Sequence, residues 1–425
     1  MSLTYLRTAA ARLRSLLPLL AAGLILTACG GMSEEELQAE ADRIHEQALV
    51  IDTHIDAPGA HVRDSDWVAA DLHRLDHEGR PGQWDIPRMI EGGMDAVFLV
   101  VYTGQRELTP ENYRNAYETA IRLFDWCETQ AESSPVAEIA LSTEDIRRLH
   151  SEGKRALLIA VENGFPIATD LSRVEEFYDR GMRYMTLTHS SDNQIGASST
   201  ESTEREDFGL TDFGREVVRE MNRLGAIVDL SHVSDQTFYD VLEMTDVPVV
   251  LTHSGLRAIA SSARNITDEM LEALAQNGGV IQLVALGSYL RDRPENPERE
   301  AALQELREEF GDMEAHTEAE QAEFRRRYQE IRREYPTPPA TIDDLMNHLE
   351  HAIALAGWDH VGFGSDFDGG GGIQGLEDVS DLPAVTVEML RRGYTEEQIE
   401  KFWGGNFMRV FEAVEAAAEA SGGSD

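Results

Sequence analysis

Short apolar runs in this sequence end, again and again, in residues able to bind a metal or move a proton. The first run carries Asp52-Thr53-His54-Ile55-Asp56; others end at Glu162, His189, His232, His253 and Asp366. Each residue alone has a plainer reading, since an Asp after a strand commonly caps the next helix and a lone His is commonly a satisfied interior residue. Six on six different runs have no packing explanation. His54 and Asp56 are two apart, so on an extended strand both point to one face and reach one ion. Imidazoles mixed with carboxylates suit a borderline divalent ion: zinc by default, with manganese, cobalt or iron as options. One catalytic zinc needs three protein ligands and a water, and at least five candidates are present. Two metals roughly 3.5–4 Å apart are therefore expected, with Glu162 bridging His54 and Asp56 on one side and His232 and His253 on the other.

These residues need a scaffold that brings strand ends together. Eight β-branched or apolar runs, at 49–55, 96–101, 156–161, 184–188, 226–230, 247–252, 280–284 and 360–364, alternate with amphipathic helical patterns such as 111–132, 211–224 and 342–356. Alternation of this kind implies parallel pairing with right-handed crossovers. Eight units fit an α/β fold closed as a (β/α)8 TIM barrel, whose catalytic groups collect at the C-terminal strand ends. The barrel is assigned to residues 45–415. A charged segment, 291–340, interrupts the alternation between strands seven and eight and reads as a solvated helical insertion. Residues 416–425 read as a flexible tail.

The first 28 residues carry Arg7, Arg12 and Arg14, no acid, and an apolar stretch shorter than the ~20 residues a bilayer span needs. They run into Cys29 through Leu26-Thr27-Ala28-Cys29, which resembles a bacterial lipobox. That resemblance implies a lipoprotein signal peptide at 1–28, acylation of Cys29, a tether over 29–44, and an exported protein anchored by lipid on the periplasmic or cell-surface side of a bacterial membrane. Cys127 then has no partner and reads as a buried structural thiol. The chain of 425 residues has 37 basic and 78 acidic side chains, net −41, which excludes a nucleic-acid binder. Its 42% hydrophobic content excludes a disordered chain.

The strings Asp52-Thr53-His54-Ile55-Asp56, Ala160-Val161-Glu162-Asn163-Gly164, Thr186-Leu187-Thr188-His189, Asp229-Leu230-Ser231-His232, Thr252-His253-Ser254, Ala263-Arg264-Asn265-Ile266 and Gly364-Ser365-Asp366-Phe367-Asp368-Gly369 resemble, in order, those of the membrane dipeptidase (renal dipeptidase) family, peptidase family M19. The resemblance implies a zinc-dependent dipeptidase with two Zn2+ and a metal-bridging hydroxide as nucleophile. His54 and Asp56 would bind one zinc, His232 and His253 the other, and Glu162 both. His189 would contact the substrate and polarise its carbonyl, Arg264 would hold its carboxylate, and Asp366 would face the water and the substrate amine. A small dipeptide is the expected partner, and a homodimer is admitted. The sequence departs from the family at Thr53 and Ile55, where Gly and Asn are common, and its charged segment is longer than the family leads one to expect. The alternatives are another binuclear barrel amidohydrolase, acting on lactones, cyclic amides or β-lactams, and a non-catalytic lipoprotein that binds metal or peptide. A carbamylated-lysine metal bridge is disfavoured, because Lys154 and Lys401 are the only lysines and neither follows a strand.

Overall fold

The computed structural model describes residues 32–62, 67–72, 82–201, 207–311 and 318–422. The expected signal peptide and Cys29 lie outside the described residues. Nine parallel strands form one sheet: β1 (Ile51–Ile55), β2 (Ala96–Tyr102), β3 (Ala137–Ile139), β4 (Arg155–Glu162), β5 (Met182–Thr186), β6 (Ile227–Asp229), β7 (Val250–Ser254), β8 (Val280–Val284) and β9 (Val361–Gly364). Eight pair in the order β1-β2-β4-β5-β6-β7-β8-β9, and β3 pairs with the start of β4 off that path. The ring nearly closes where Ile55 bridges Phe367 and the Asp56 N–H donates to the Phe367 carbonyl at 2.8 Å. The (β/α)8 expectation stands, with β3 added; three residues are too short for a periodic signal.

Both strand faces are buried, as parallel sheets require. Val97, Leu99 and Val101 join the outer layer beneath the helices, while Ala96, Phe98, Leu158, Ala160 and Tyr184 form an inner cluster with Phe407 and Phe411 of the last helix. Glu162 has the parity of Leu158 and Ala160, so period-2 alternation carries it to the inner face. Pairing slips between Asp52 and Ile55 and between Leu251 and Ser254. Irregularities of this kind re-aim side chains, and here they fall at His54 and His253.

Two boundaries differ from expectation. Most of the proposed tether, 29–44, is helix: Glu34–Gln47 starts at a Ser33–Glu36 capping box and buries Leu37, Ala41 and Ile44. Those three recur at helical spacing within a charged stretch, which hides the apolar face from a reading by composition. The assumed tail, 416–425, is helical to Gly422, as the last helix spans Asn406–Gly422. The insertion is helical as expected, with Gly287–Leu290, Pro297–Phe310 and Glu318–Glu334 between β8 and β9. Cys127 is fully buried in the helix Pro110–Glu132, and burial pushes its thiol up.

Candidate active site

All the residues singled out in the barrel converge at the C-terminal ends of the strands. A cavity of about 820 Å3 is lined by Asp56, Glu162, His189, His232, His253, Arg264 and Asp366. His54 stands just behind it, fully buried, with Nε2 3.6 Å from both Asp56 Oδ2 and Glu162 Oε1. Around the same Glu162 oxygen lie His232 Nε2 at 3.0 Å, His253 Nε2 at 3.4 Å and His189 Nε2 at 3.8 Å. His232 and His253 approach each other at 2.9 Å through Nε2. Glu162 is thus the common neighbour of both expected ligand pairs.

The backbone is shaped to achieve this. His232 and Asp366 hold φ of 70° and 61°, a left-handed conformation uncommon outside glycine and concentrated at functional sites. A Cβ on Gly369 would fall 2.0 Å from Asp56 Oδ2 and 2.5 Å from Asp366 Oδ1, so only glycine lets this turn pass the two carboxylates. Two buried aspartates bind the strand ends together. Asp52 Oδ1 accepts from the His54 and Ser365 N–H groups, each at 3.0 Å. Asp229 Oδ1 accepts from the Ser231 and Thr252 N–H groups at 2.9 and 3.0 Å.

Hydrogen bonds also set which imidazole nitrogen carries the proton. The Tyr184 hydroxyl donates to the Thr53 carbonyl at 2.9 Å, so at His54 Nδ1, also 2.9 Å away, it must accept. His54 is therefore protonated on Nδ1 and presents the Nε2 lone pair, which has no hydrogen-bond partner, to Asp56 and Glu162. The Thr252 hydroxyl donates to Asp229 Oδ2 at 2.7 Å and so accepts from His253 Nδ1 at 3.0 Å, which leaves the lone pair of His253 on Nε2, the atom that faces His232 and Glu162. Oriented lone pairs with a fixed tautomer are what a metal needs. Replacing Tyr184 by Phe is expected to weaken metal binding about 10–100-fold, measured by competition with a chelator; unchanged affinity would remove Tyr184 from this role.

Burial pushes the Glu162 carboxyl well above the usual range, Asp56 up to about 7, and Asp366 up to about 8, the last helped by its neighbour Asp56. Burial likewise drives His232 and His253 well below the ordinary imidazole value and His189 down to about 3. Acids forced to hold protons and imidazoles forced to lose them mark a site short of positive charge, and divalent cations would reverse that balance. The donor set therefore fits metal. His54, Asp56 and Glu162 form one group of mutually close donor atoms, Glu162, His189 and His232 a second, and His54, His253 and Asp366 a third.

In the metal-free protein the raised acids impose a slope on stability. The folded values of Asp56 and Asp366, about 7 and about 8, lie above an unfolded value of about 3.9. The folded state then binds more protons than the unfolded state between these limits, so stability falls as pH rises through the window. The lowered values of His189, His232 and His253 act in the opposite sense below about pH 6.5, so the Tm of chelated protein is expected to drop between about pH 7 and 8; a Tm that rises over that span would contradict these shifts.

Arg264 is buried, 4% exposed, and donates to the His253 carbonyl at 3.2 Å with its guanidinium 5.3 Å from the Tyr289 ring centre. It forms no ion pair among the described residues, and its Nε has no partner. Among the described residues it neither caps the following helix, whose N-cap is Thr267, nor pairs with Asp268, which meets His351. His189 stands three residues past β5, not at its end, with its ring 4.7 Å from that of Tyr102 and Nδ1 3.0 Å from Ser190 Oγ. Reading by residue type missed Tyr184, Thr252, Tyr102 and Tyr289, which look like ordinary strand or loop residues. Asp52 and Asp229 carried a signal, each lying two or three residues before a candidate histidine.

The family model described as Membrane dipeptidase (Peptidase family M19) matches residues 38–424. The chain is 31% identical to dipeptidase tcpJ of Claviceps purpurea over 348 residues, 80% of this chain and 72% of that protein. It is 36% identical to an uncharacterized dipeptidase of Schizosaccharomyces pombe over 276 residues, 64% of this chain and 56% of that protein. Among solved structures, the probable dipeptidase PvdM from Pseudomonas aeruginosa superposes with a TM-score of 0.80 at 28% identity, covering 90% of this chain and 100% of that one.

Proposed function

Because the chain belongs to the membrane dipeptidase family, peptidase family M19, we propose that it hydrolyses the peptide bond of dipeptides at a centre holding two zinc ions. The observation that carries this reading is the convergence of the His54, His232 and His253 Nε2 atoms on one Glu162 oxygen, within 3.0–3.6 Å. His54, Asp56 and Glu162 would hold one ion, and Glu162, His232 and His253 the other. Bound there, the ions would activate a water at neutral pH and polarise the scissile carbonyl.

The remaining chemistry belongs to the chain. His189 is neutral at pH 7, given a value of about 3. For its Nε2–H to donate to the carbonyl oxygen as charge develops there, Nδ1 has to accept from the Ser190 hydroxyl, 3.0 Å away. Asp366 takes the proton of the attacking water and returns it to the leaving amine. Arg264 grips the C-terminal carboxylate. Two features favour this reading over a binding protein: His189 and Asp366 face the cavity in addition to the ligand set, and Arg264 is buried with no ion pair among the described residues. Turnover of a simple dipeptide, lost in chelator and restored by zinc, tests it; failure of zinc to restore activity would overturn it.

We further propose that Cys29 carries a lipid anchor on an exported protein, a reading supported by Leu26-Thr27-Ala28-Cys29 after a basic and apolar leader. Among the described residues no helix is long and apolar enough to cross a membrane. Two or three acyl chains give stable attachment. Cys29→Ala is expected to move the protein from the membrane to the soluble fraction or leave it unprocessed, read by fractionation. Unchanged attachment with normal cleavage would contradict the anchor.

A further inference from the structure

A second cavity, of about 390 Å3, lies between the helical insertion and the barrel rim. Arg291, Arg293, Arg299 and Arg332 line it, and among the described residues no carboxylate does. In a chain of net charge −41, a wall of four guanidiniums is the reverse of what average composition would place there. A merely solvated insertion would alternate its charges, as this one does elsewhere, where Arg326 pairs with Glu323 and Arg327 with Glu309.

The arginines divide into two kinds. Arg299 is buried and holds the wall, donating to Thr337 Oγ1 at 2.6 Å and to Glu300 Oε1 at 3.0 Å. Arg291 leans on the Pro339 carbonyl at 3.4 Å and lies 3.7 Å from Asp344. Arg293 and Arg332 form no ion pair among the described residues, and the Arg332 guanidinium lies 5.9 Å from the Tyr328 ring centre. Their charge is uncommitted.

This cavity adjoins the catalytic one. Leu286 and Gly370 line both. A Cβ on Gly370 would be 3.5 Å from Leu286 Cδ1 and 3.6 Å from Asp366 Oδ2, so this shared residue sits beside a group of the catalytic cavity. An anionic substrate meets repulsion over most of this acidic surface, and the arginine wall is a local exception beside the reacting groups.

We propose that the insertion builds a subsite for an anionic side chain, so that the enzyme selects dipeptides bearing a carboxylate beyond the one at their C-terminus. The proposal rests on the dipeptidase reading. Its test compares the zinc-loaded enzyme on glycylglutamate against glycylglutamine, and on aspartylglycine against asparaginylglycine, which also identifies the residue whose side chain enters. The acidic member of at least one pair is expected to be preferred about tenfold or more in kcat/KM at low salt, a charge-assisted hydrogen bond's worth. Added salt should shrink the preference. Combining Arg293→Ser with Arg332→Ser should bring it within about twofold while leaving turnover of the neutral dipeptides intact, which also reports that the fold survives. Equal rates on acidic and neutral members, or a preference that persists in the double variant, would overturn the subsite alone. No turnover of any of the four would overturn the dipeptidase reading with it.

Discussion

Glu162→Gln is expected to lower kcat/KM by about two to three and a half orders of magnitude and to release most of the bound metal. Removing one partner from a buried charge cluster costs about 3–5 kcal/mol, and each 1.4 kcal/mol is a factor of about ten. Glu162 is the site's common neighbour: its Oε1 lies within 3.8 Å of four imidazole nitrogens. Gln keeps the shape and removes the charge from both ion positions at once. His54→Asn removes one neutral donor from one position and is expected to cost less. Steady-state kinetics paired with metal analysis of each variant checks the order; a His54 variant more impaired than the Glu162 variant would mean that Glu162 does not bridge.

The second large effect concerns the far end of the substrate. A guanidinium 4% exposed, with an unpartnered Nε and no ion pair among the described residues, is costly unless a ligand completes it. It lines the catalytic cavity beside Tyr289, on the loop that follows β7. A terminal carboxylate can take two parallel hydrogen bonds from it, a geometry lysine cannot reproduce. Such bonds are worth roughly 1.5–3 kcal/mol each. Amidating the dipeptide's C-terminus, or Arg264→Lys, should therefore lower kcat/KM at least about tenfold with metal content unchanged. Equal rates on free and amidated dipeptides would remove Arg264 from substrate binding.

Much of this site could be read before the fold because barrel geometry turns strand ends into a list of candidates. His54 and Asp56 stood out through two-residue spacing, and Glu162 through its place at the end of a long apolar run. What stayed hidden were residues whose work depends on where they land. Tyr184 looks like one more buried strand aromatic, and only its paired contacts with the Thr53 carbonyl and His54 Nδ1 reveal that it sets a tautomer. Thr252 hides in the same way between Asp229 and His253. His189 was expected at a strand end and stands beyond one. The helix Glu34–Gln47 was missed because charge dominates its composition while three apolar residues at helical spacing decide its fate. The insertion's arginine wall was equally illegible, since Arg291 and Arg332 are forty-one positions apart in sequence and meet only when its helices fold back on the rim.

In the proposed mechanism one carboxylate, Glu162, joins two metal positions. Elemental analysis of purified protein across a zinc titration, with dipeptide turnover followed in the same samples, tests it most directly. Activity is expected to rise until about two zinc ions are bound per chain, and Glu162→Gln is expected to lose both. Full activity with one ion bound, or with none, would contradict it.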